Sequence, residues 1–320
     1  MCGSCRSLSA SLRFWGLDGN SGADGSTGVL RMLGSHYTVV DGGLASTLQA
    51  EGYEVDGDPL WSARLLATHP SAIKKVHTLF LEAGAEVVCG SYQSSVPGFQ
   101  QHLGTTQKEA LALIERSATL ALEAVQEFEG KRGTGGHPKL VAGSVGPYGA
   151  CQADGSEYTG SYIPSVTQCD LATWHRPRLE VLAGAGLQLV ALETLPALSE
   201  ALALLGLLQE FPDLNAWVTF SCKHASYGDN FGEAVRSCYE QGREQLIGVG
   251  INCTPPHLIT PLLQEANRFL PSPHVLPRVV YPNSGEEWVP GKCFLRQWVS
   301  GSLLHKSSSP DGTSQTVSGR

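Results

Sequence analysis

Short apolar, β-branched runs recur along the middle of the chain, and each gives way to small or polar residues. They are Thr38–Val40 before Asp41, Val87–Cys89 before Gly90 and Ser91, and Leu140–Ala142 before Gly143 and Ser144. Leu189–Leu192 precedes Glu193, Trp217–Phe220 precedes Ser221, Ile247–Ile251 precedes Asn252, and Arg278–Tyr281 precedes Pro282 and Asn283. Runs of this length, bounded by turn-forming residues, read as buried strands. Between them, apolar positions recur at steps of three and four. The clearest series is Leu111, Ile114, Ala118, Ala121, Val125 and Phe128, which gives one helix an apolar face. Pro196 ahead of Ala197–Leu208, and Pro255 and Pro256 ahead of Leu258–Leu263, stand where a helix's first turn tolerates proline.

The strand-end residues fall at 41, 91, 144, 193, 221, 252 and 283. About 30 residues suffice for a strand, a crossover helix and a return, so the wider early units carry loop insertions. Seven such units in a row predict a parallel sheet covered by helices. An open doubly wound sheet places a glycine-rich phosphate turn after its first strand, whereas Asp41-Gly42-Gly43-Leu44 follows here. The expected fold is therefore an α/β, (β/α)8 TIM-type barrel. It is incomplete, with seven recognisable strands and the eighth replaced by a divergent tail.

Composition narrows the function classes. The chain has 320 residues, 22 basic against 30 acidic, for a net charge of −8. That balance opposes a nucleic-acid surface, which needs clustered cations. No apolar run is long enough to span a membrane. Nine cysteines, an odd total without a signal-peptide core, read as reduced thiols in a cytoplasmic protein. Residues 1–35, rich in Ser and Gly, are expected to be a poorly packed extension, and Cys2 and Cys5 two thiols on its frayed end. Residues 36–287 are expected to form the barrel domain, and 288–320, which ends in a stretch nearly free of apolar residues, a largely disordered tail.

In such a barrel the chemistry sits where strands finish. The polar residues there are Asp41, Tyr92, Ser144, Glu193, Cys222, Lys223, Asn252 and Cys253. Two chemistries suit the set. Asp41 and Glu193 can hold an ammonium group while Cys253, as thiolate, binds a soft metal such as zinc. Alternatively Glu193, Lys223 and Cys253 supply the base, oxyanion stabiliser and nucleophile of a metal-free cysteine hydrolase. His257, beyond two prolines, reads as a surface residue of the next helix.

A series of segments makes the first chemistry specific. Asp41-Gly42-Gly43-Leu44-Ala45, Asp58-Pro59-Leu60-Trp61-Ser62-Ala63, Ser91-Tyr92-Gln93 and Gly143-Ser144-Val145-Gly146-Pro147-Tyr148-Gly149 are followed by Asp154-Gly155-Ser156-Glu157-Tyr158. Then come Glu193-Thr194-Leu195-Pro196, Phe220-Ser221-Cys222-Lys223, Gly250-Ile251-Asn252-Cys253-Thr254 and Tyr281-Pro282-Asn283-Ser284-Gly285-Glu286. In this order they resemble the homocysteine S-methyltransferases. The Asp58–Ala63 segment is closer to the branch using S-methylmethionine or S-adenosylmethionine than to the betaine branch. The resemblance implies zinc-dependent methyl transfer to homocysteine, giving methionine. The substrate's own thiol, activated by zinc, is the nucleophile, and no further catalytic residue is implied. Cys253 is implied as a zinc ligand, Asp41 and Glu193 as contacts of the amino-acid part, and Tyr92 as an aromatic near the metal. Ser144, Gly146 and Pro147 are expected to shape a loop.

One departure counts against turnover. The family pattern ends in Gly-Gly-Cys-Cys, whose adjacent cysteines complete the zinc site. This chain has Trp288-Val289-Pro290-Gly291-Lys292-Cys293 and no adjacent cysteine pair. The expectation is an incomplete Zn2+ site, open edges on the first and seventh strands, and weak or absent activity. A non-catalytic barrel that binds a sulfur amino acid or a partner is the alternative.

Overall fold

In a computed structural model the chain is described at residues 11–13, 38–132, 137–222, 230–269 and 276–283. The strands are β1 (Ser11–Arg13), β2 (Thr38–Val39), β3 (Val87–Cys89), β4 (Leu140–Val145), β5 (Leu189–Leu195), β6 (Asn215–Ser221), β7 (Leu246–Asn252) and β8 (Arg278–Tyr281). All seven strands expected from the apolar runs are present, β4 to β7 being longer than the runs themselves. The central four are flanked by covered faces, so polar positions such as Ser144 and Thr219 are buried with the rest.

From β3 to β8 each strand runs parallel to the next. The two ends of this series approach each other. Val40 bridges Val87 in parallel, Glu86 N–H donates to the Val39 carbonyl at 2.7 Å, and Asp41 N–H to that of Val87 at 2.9 Å. On the other side, β1 pairs antiparallel with both β2 and β8, through Ser11 against Val39 and Val280. The fold is an α/β barrel of the TIM type with seven parallel strands, and β1 takes the place of the eighth. The expected open edges on β2 and β8 are thereby corrected. Bare backbone donors and acceptors need a partner, and three residues from the N-terminal side supply one. The other residues of 1–35, and the tail 288–320 with Cys293, lie outside the described residues, as do Cys2 and Cys5.

Two cores follow from the strand alternation. Val40, just after β2, and Val87, Ala142, Leu189, Ala191, Trp217, Ile247 and Val279, from the other six parallel strands, form one buried cluster that fills the barrel. The larger cluster lies between the strands and the helices and takes in Leu48, Phe80, Ile114, Leu179, Leu204, Phe231 and Ala266. The helix Gln107–Arg132 buries Ile114, Ala118, Ala121 and Val125, the face that its spacing predicts. His257 is exposed on the helix Pro256–Phe269. Among the described residues no helix is long and apolar enough to cross a membrane.

Candidate active site

The parallel strands deliver their last residues to one end of the barrel. Glu193, near the end of β5, is 9% exposed. Its carboxylate accepts from Ser144 Oγ, at the end of β4, and from the Tyr281 hydroxyl of β8 at 3.0 Å. Tyr281 is itself held by Trp217 Nε1–H at 3.2 Å and by Thr219 Oγ1 at 2.8 Å. Burial raises the Glu193 pKa, and these two donors oppose the rise. Ser144, expected to shape a loop, instead helps to orient this carboxylate. Tyr281 was legible only as a strand end, because nothing in an isolated tyrosine shows which carboxylate it will meet.

Asp41 follows β2, and its Oδ2 accepts from Cys89 N–H at 2.7 Å. Desolvation, with a further contribution from the charge of Glu193, pushes its pKa up to about 7 despite that hydrogen bond. Cys89, which sequence reasoning did not single out, sits beside both carboxylates and its thiol is raised well above the ordinary range, chiefly by burial. The site thus holds two carboxylates, and the charge of Glu193 disfavours the ionisation of Asp41. An arriving ammonium group would relieve both.

Cys253 follows β7. Its thiol is pushed up to about 12 by burial and then by Glu193 and Glu157, against hydrogen bonds from Thr194 and Asn252. Thr194 and Cys253 both adopt left-handed backbone, with φ of 61° and 48°. Such strain in non-glycine residues gathers at functional sites. The Asn252 amide lies between them, with Nδ2 3.2 Å from Cys253 Sγ. Tyr92 is raised well above the ordinary phenol range, first by burial and then by Tyr158, Glu157, Cys253 and Glu193, so it borders the same cluster. Its ring lies against Gly146, where a Cβ would come within 2.3 Å of Tyr92 Cδ2.

The structure therefore brings Asp41, Tyr92, Glu193 and Cys253 together, with Ser144 and Asn252 as supports. Cys222 does not join them. It is fully buried in the core between strands and helices, and its N–H donates to Thr254 Oγ1 at 2.8 Å. Lys223 lies outside the described residues. Zinc fits poorly here. Among the described residues no three His, Cys, Asp or Glu side chains are grouped to hold a metal. The one expected thiolate, Cys253, has Glu193 and Glu157 as its charged neighbours.

The family model for homocysteine S-methyltransferase matches residues 38–307, running past Glu286, where the motif series ends. A betaine-homocysteine S-methyltransferase of Drosophila melanogaster is 41% identical over 258 residues, covering 77% of this chain and 78% of its own. Homocysteine S-methyltransferase YbgG of Bacillus subtilis is 40% identical over 256 residues, 79% of each chain. Among solved structures, the metallated form of the Escherichia coli homocysteine methyltransferase MmuM superposes with a TM-score of 0.70 at 39% identity. That match covers 77% of this chain and 83% of the other.

Proposed function

This chain belongs to the homocysteine S-methyltransferase family, and we propose that its barrel receives L-homocysteine as a methyl acceptor. The observation that carries this reading is the pairing of Asp41 and Glu193 at one end of the barrel, both raised in pKa, with Glu193 beside Cys253. One buried and one half-buried carboxylate, both with raised pKa, suit the ammonium group of an amino acid. The reaction is methyl transfer from a sulfonium donor, S-methylmethionine or S-adenosylmethionine. The homocysteine sulfur attacks the methyl carbon, the donor's C–S bond breaks with its electron pair on the departing sulfide, and the thiol proton leaves to solvent.

The resemblance also implies zinc, which when bound lowers the pKa of a substrate thiol. Because the described donors do not fit the metal, no step is assigned to it here. The chain as it stands is read as an acceptor-binding barrel with poor turnover. The cysteine-hydrolase alternative has less support, since a thiol near 12 beside two glutamates is held protonated at neutral pH. Cytoplasmic placement rests on six free cysteines among the described residues, which suit a reducing compartment.

Calorimetric titration tests the proposal. L-Homocysteine should bind at least about tenfold more tightly than 4-mercaptobutyrate, which keeps the thiol and the carboxylate and lacks only the α-amino group. Equal affinities would remove the carboxylate pair from substrate recognition. Supplying S-methylmethionine, S-adenosylmethionine or betaine with homocysteine, and measuring methionine, then identifies the donor.

A further inference from the structure

Outside the cluster at the strand ends, three buried side chains from two helices form one connected array. His175 and Arg178 stand on the helix Gln168–Gly184, and Glu200 on Leu198–Leu208. None is more than 2% exposed. His175 Nε2 lies 2.8 Å from Glu200 Oε1, while its Nδ1 faces Arg178 Nη2. A guanidinium has only donors, so Nδ1 accepts, and Nε2 carries the proton given to Glu200. Burial, with the neighbouring Arg178 charge, holds the His175 pKa down to about 4, so the ring is neutral. The array is a cation and a carboxylate joined through a neutral imidazole, and this pairing makes burial of the two charges tolerable.

The array does not end in the core. Arg178 Nη2 also donates to the Gly146 carbonyl at 2.8 Å, and Nη1 reaches the Tyr92 carbonyl at 3.5 Å. The guanidinium carbon stands 4.4 Å over the Trp174 ring. Glu200 Oε1 accepts from Tyr148 N–H at 2.7 Å, and Oε2 accepts from the Tyr162 hydroxyl. Gly146 N–H donates in turn to the Tyr92 carbonyl at 3.1 Å. The array therefore grips both ends of the turn Gly146–Tyr148 and, through that turn, the residue whose ring borders Cys253.

We propose that Arg178 is a positioning residue for the site, fixing Tyr92 and the turn after β4, with His175 and Glu200 holding the guanidinium in place. The inference rests on the proposed reading of this end of the barrel as the homocysteine site, whose cluster Tyr92 borders. Lysine is no substitute. A single ammonium head cannot serve two backbone carbonyls and an imidazole while lying over an indole face.

Hydrogen exchange and calorimetry on Arg178→Ala, Arg178→Lys and the parent chain test this, well below each unfolding midpoint. In Arg178→Ala the amides of Gly146 and Tyr148 should exchange at least about tenfold faster, while those of β6 and β7 stay unchanged. The homocysteine Kd should weaken about five- to tenfold. Millimolar guanidinium should restore both, and sodium chloride at equal ionic strength neither. Arg178→Lys should show the same local loosening to a smaller degree, without rescue, and stands in if the alanine variant does not fold. Exchange that rises evenly across the barrel, or a turn that stays protected, would overturn the proposal. Failure of the parent chain to bind homocysteine would instead sink the functional reading, while exchange and rescue would still decide the role of Arg178.

Discussion

The side-chain amide of Asn252 holds Thr194 from both sides. Its Oδ1 accepts from the Thr194 N–H at 2.9 Å and its Nδ2 donates to Thr194 Oγ1 at 2.8 Å. The same Nδ2 faces Cys253 Sγ, so one buried residue at the end of β7 ties together the two left-handed residues of the site. Asn252→Ala leaves the buried Thr194 N–H unpaired and removes the clamp that holds the left-handed backbone in place. It should lower stability by about 2–3 kcal/mol and weaken homocysteine binding. Urea unfolding and calorimetry on one preparation check both, and undiminished affinity would confine the clamp to a stabilising role.

Asp41 should make the free protein less stable above neutrality. Its folded pKa, about 7, lies above the ordinary 3.8, so the fold favours the neutral acid. The cost of ionising it grows from about pH 4 to pH 7 and is constant above. Asp41→Asn should therefore raise the thermal midpoint by several degrees at pH 8 and by less at pH 5. It should also abolish homocysteine binding. In the parent chain, affinity should strengthen about tenfold between pH 6 and pH 8, because an ammonium ligand needs the ionised form. A flat pH profile would take Asp41 out of the contact.

Glu193→Ala removes one partner of a desolvated cation, so the homocysteine Kd should rise at least about tenfold. Ser144→Ala, which deletes only a donor to that carboxylate, should have a smaller effect in the same direction. A Kd unchanged in Glu193→Ala would be incompatible with the assigned role.

Closure through β1 can be tested at the backbone. Leu12 pairs with Thr38 on one side and Val279 on the other. Leu12→Pro removes a ladder donor and should expose the edges of β2 and β8, giving a lower midpoint and concentration-dependent aggregation. Light scattering together with a thermal scan reads this, and an unaltered, monodisperse variant would show that β1 contributes nothing to the barrel.

Metal content gives the fifth expectation. Catalytic zinc sites use at least three protein ligands, and loss of two thiolates weakens binding by decades. Elemental analysis of the purified chain should find zinc well below one per protein, with little methionine formed. Appending a Gly-Gly-Cys-Cys ending after an eighth strand should raise both. Stoichiometric zinc in the unaltered chain would show that other residues supply the missing donors.

The sequence by itself determined the seven parallel strands, their order and the end of the barrel where Asp41, Glu193 and Cys253 meet. Those features follow from local apolar runs and from the rule that such barrels place strand-end residues on one face. Tertiary structure alone decided how the ring closes, because β1 joins it through backbone hydrogen bonds, and the triplet Ser11-Leu12-Arg13 carries no periodicity that announces a strand. It alone paired Tyr281 with Glu193, set Cys222 in the outer core and tied Arg178 to Tyr92 and Gly146. These contacts join residues far apart in the chain. Which of them meet is fixed by strand register and helix docking, as is the burial that shifts the pKa values of Asp41 and Cys253, and none of this is written in the residues on either side.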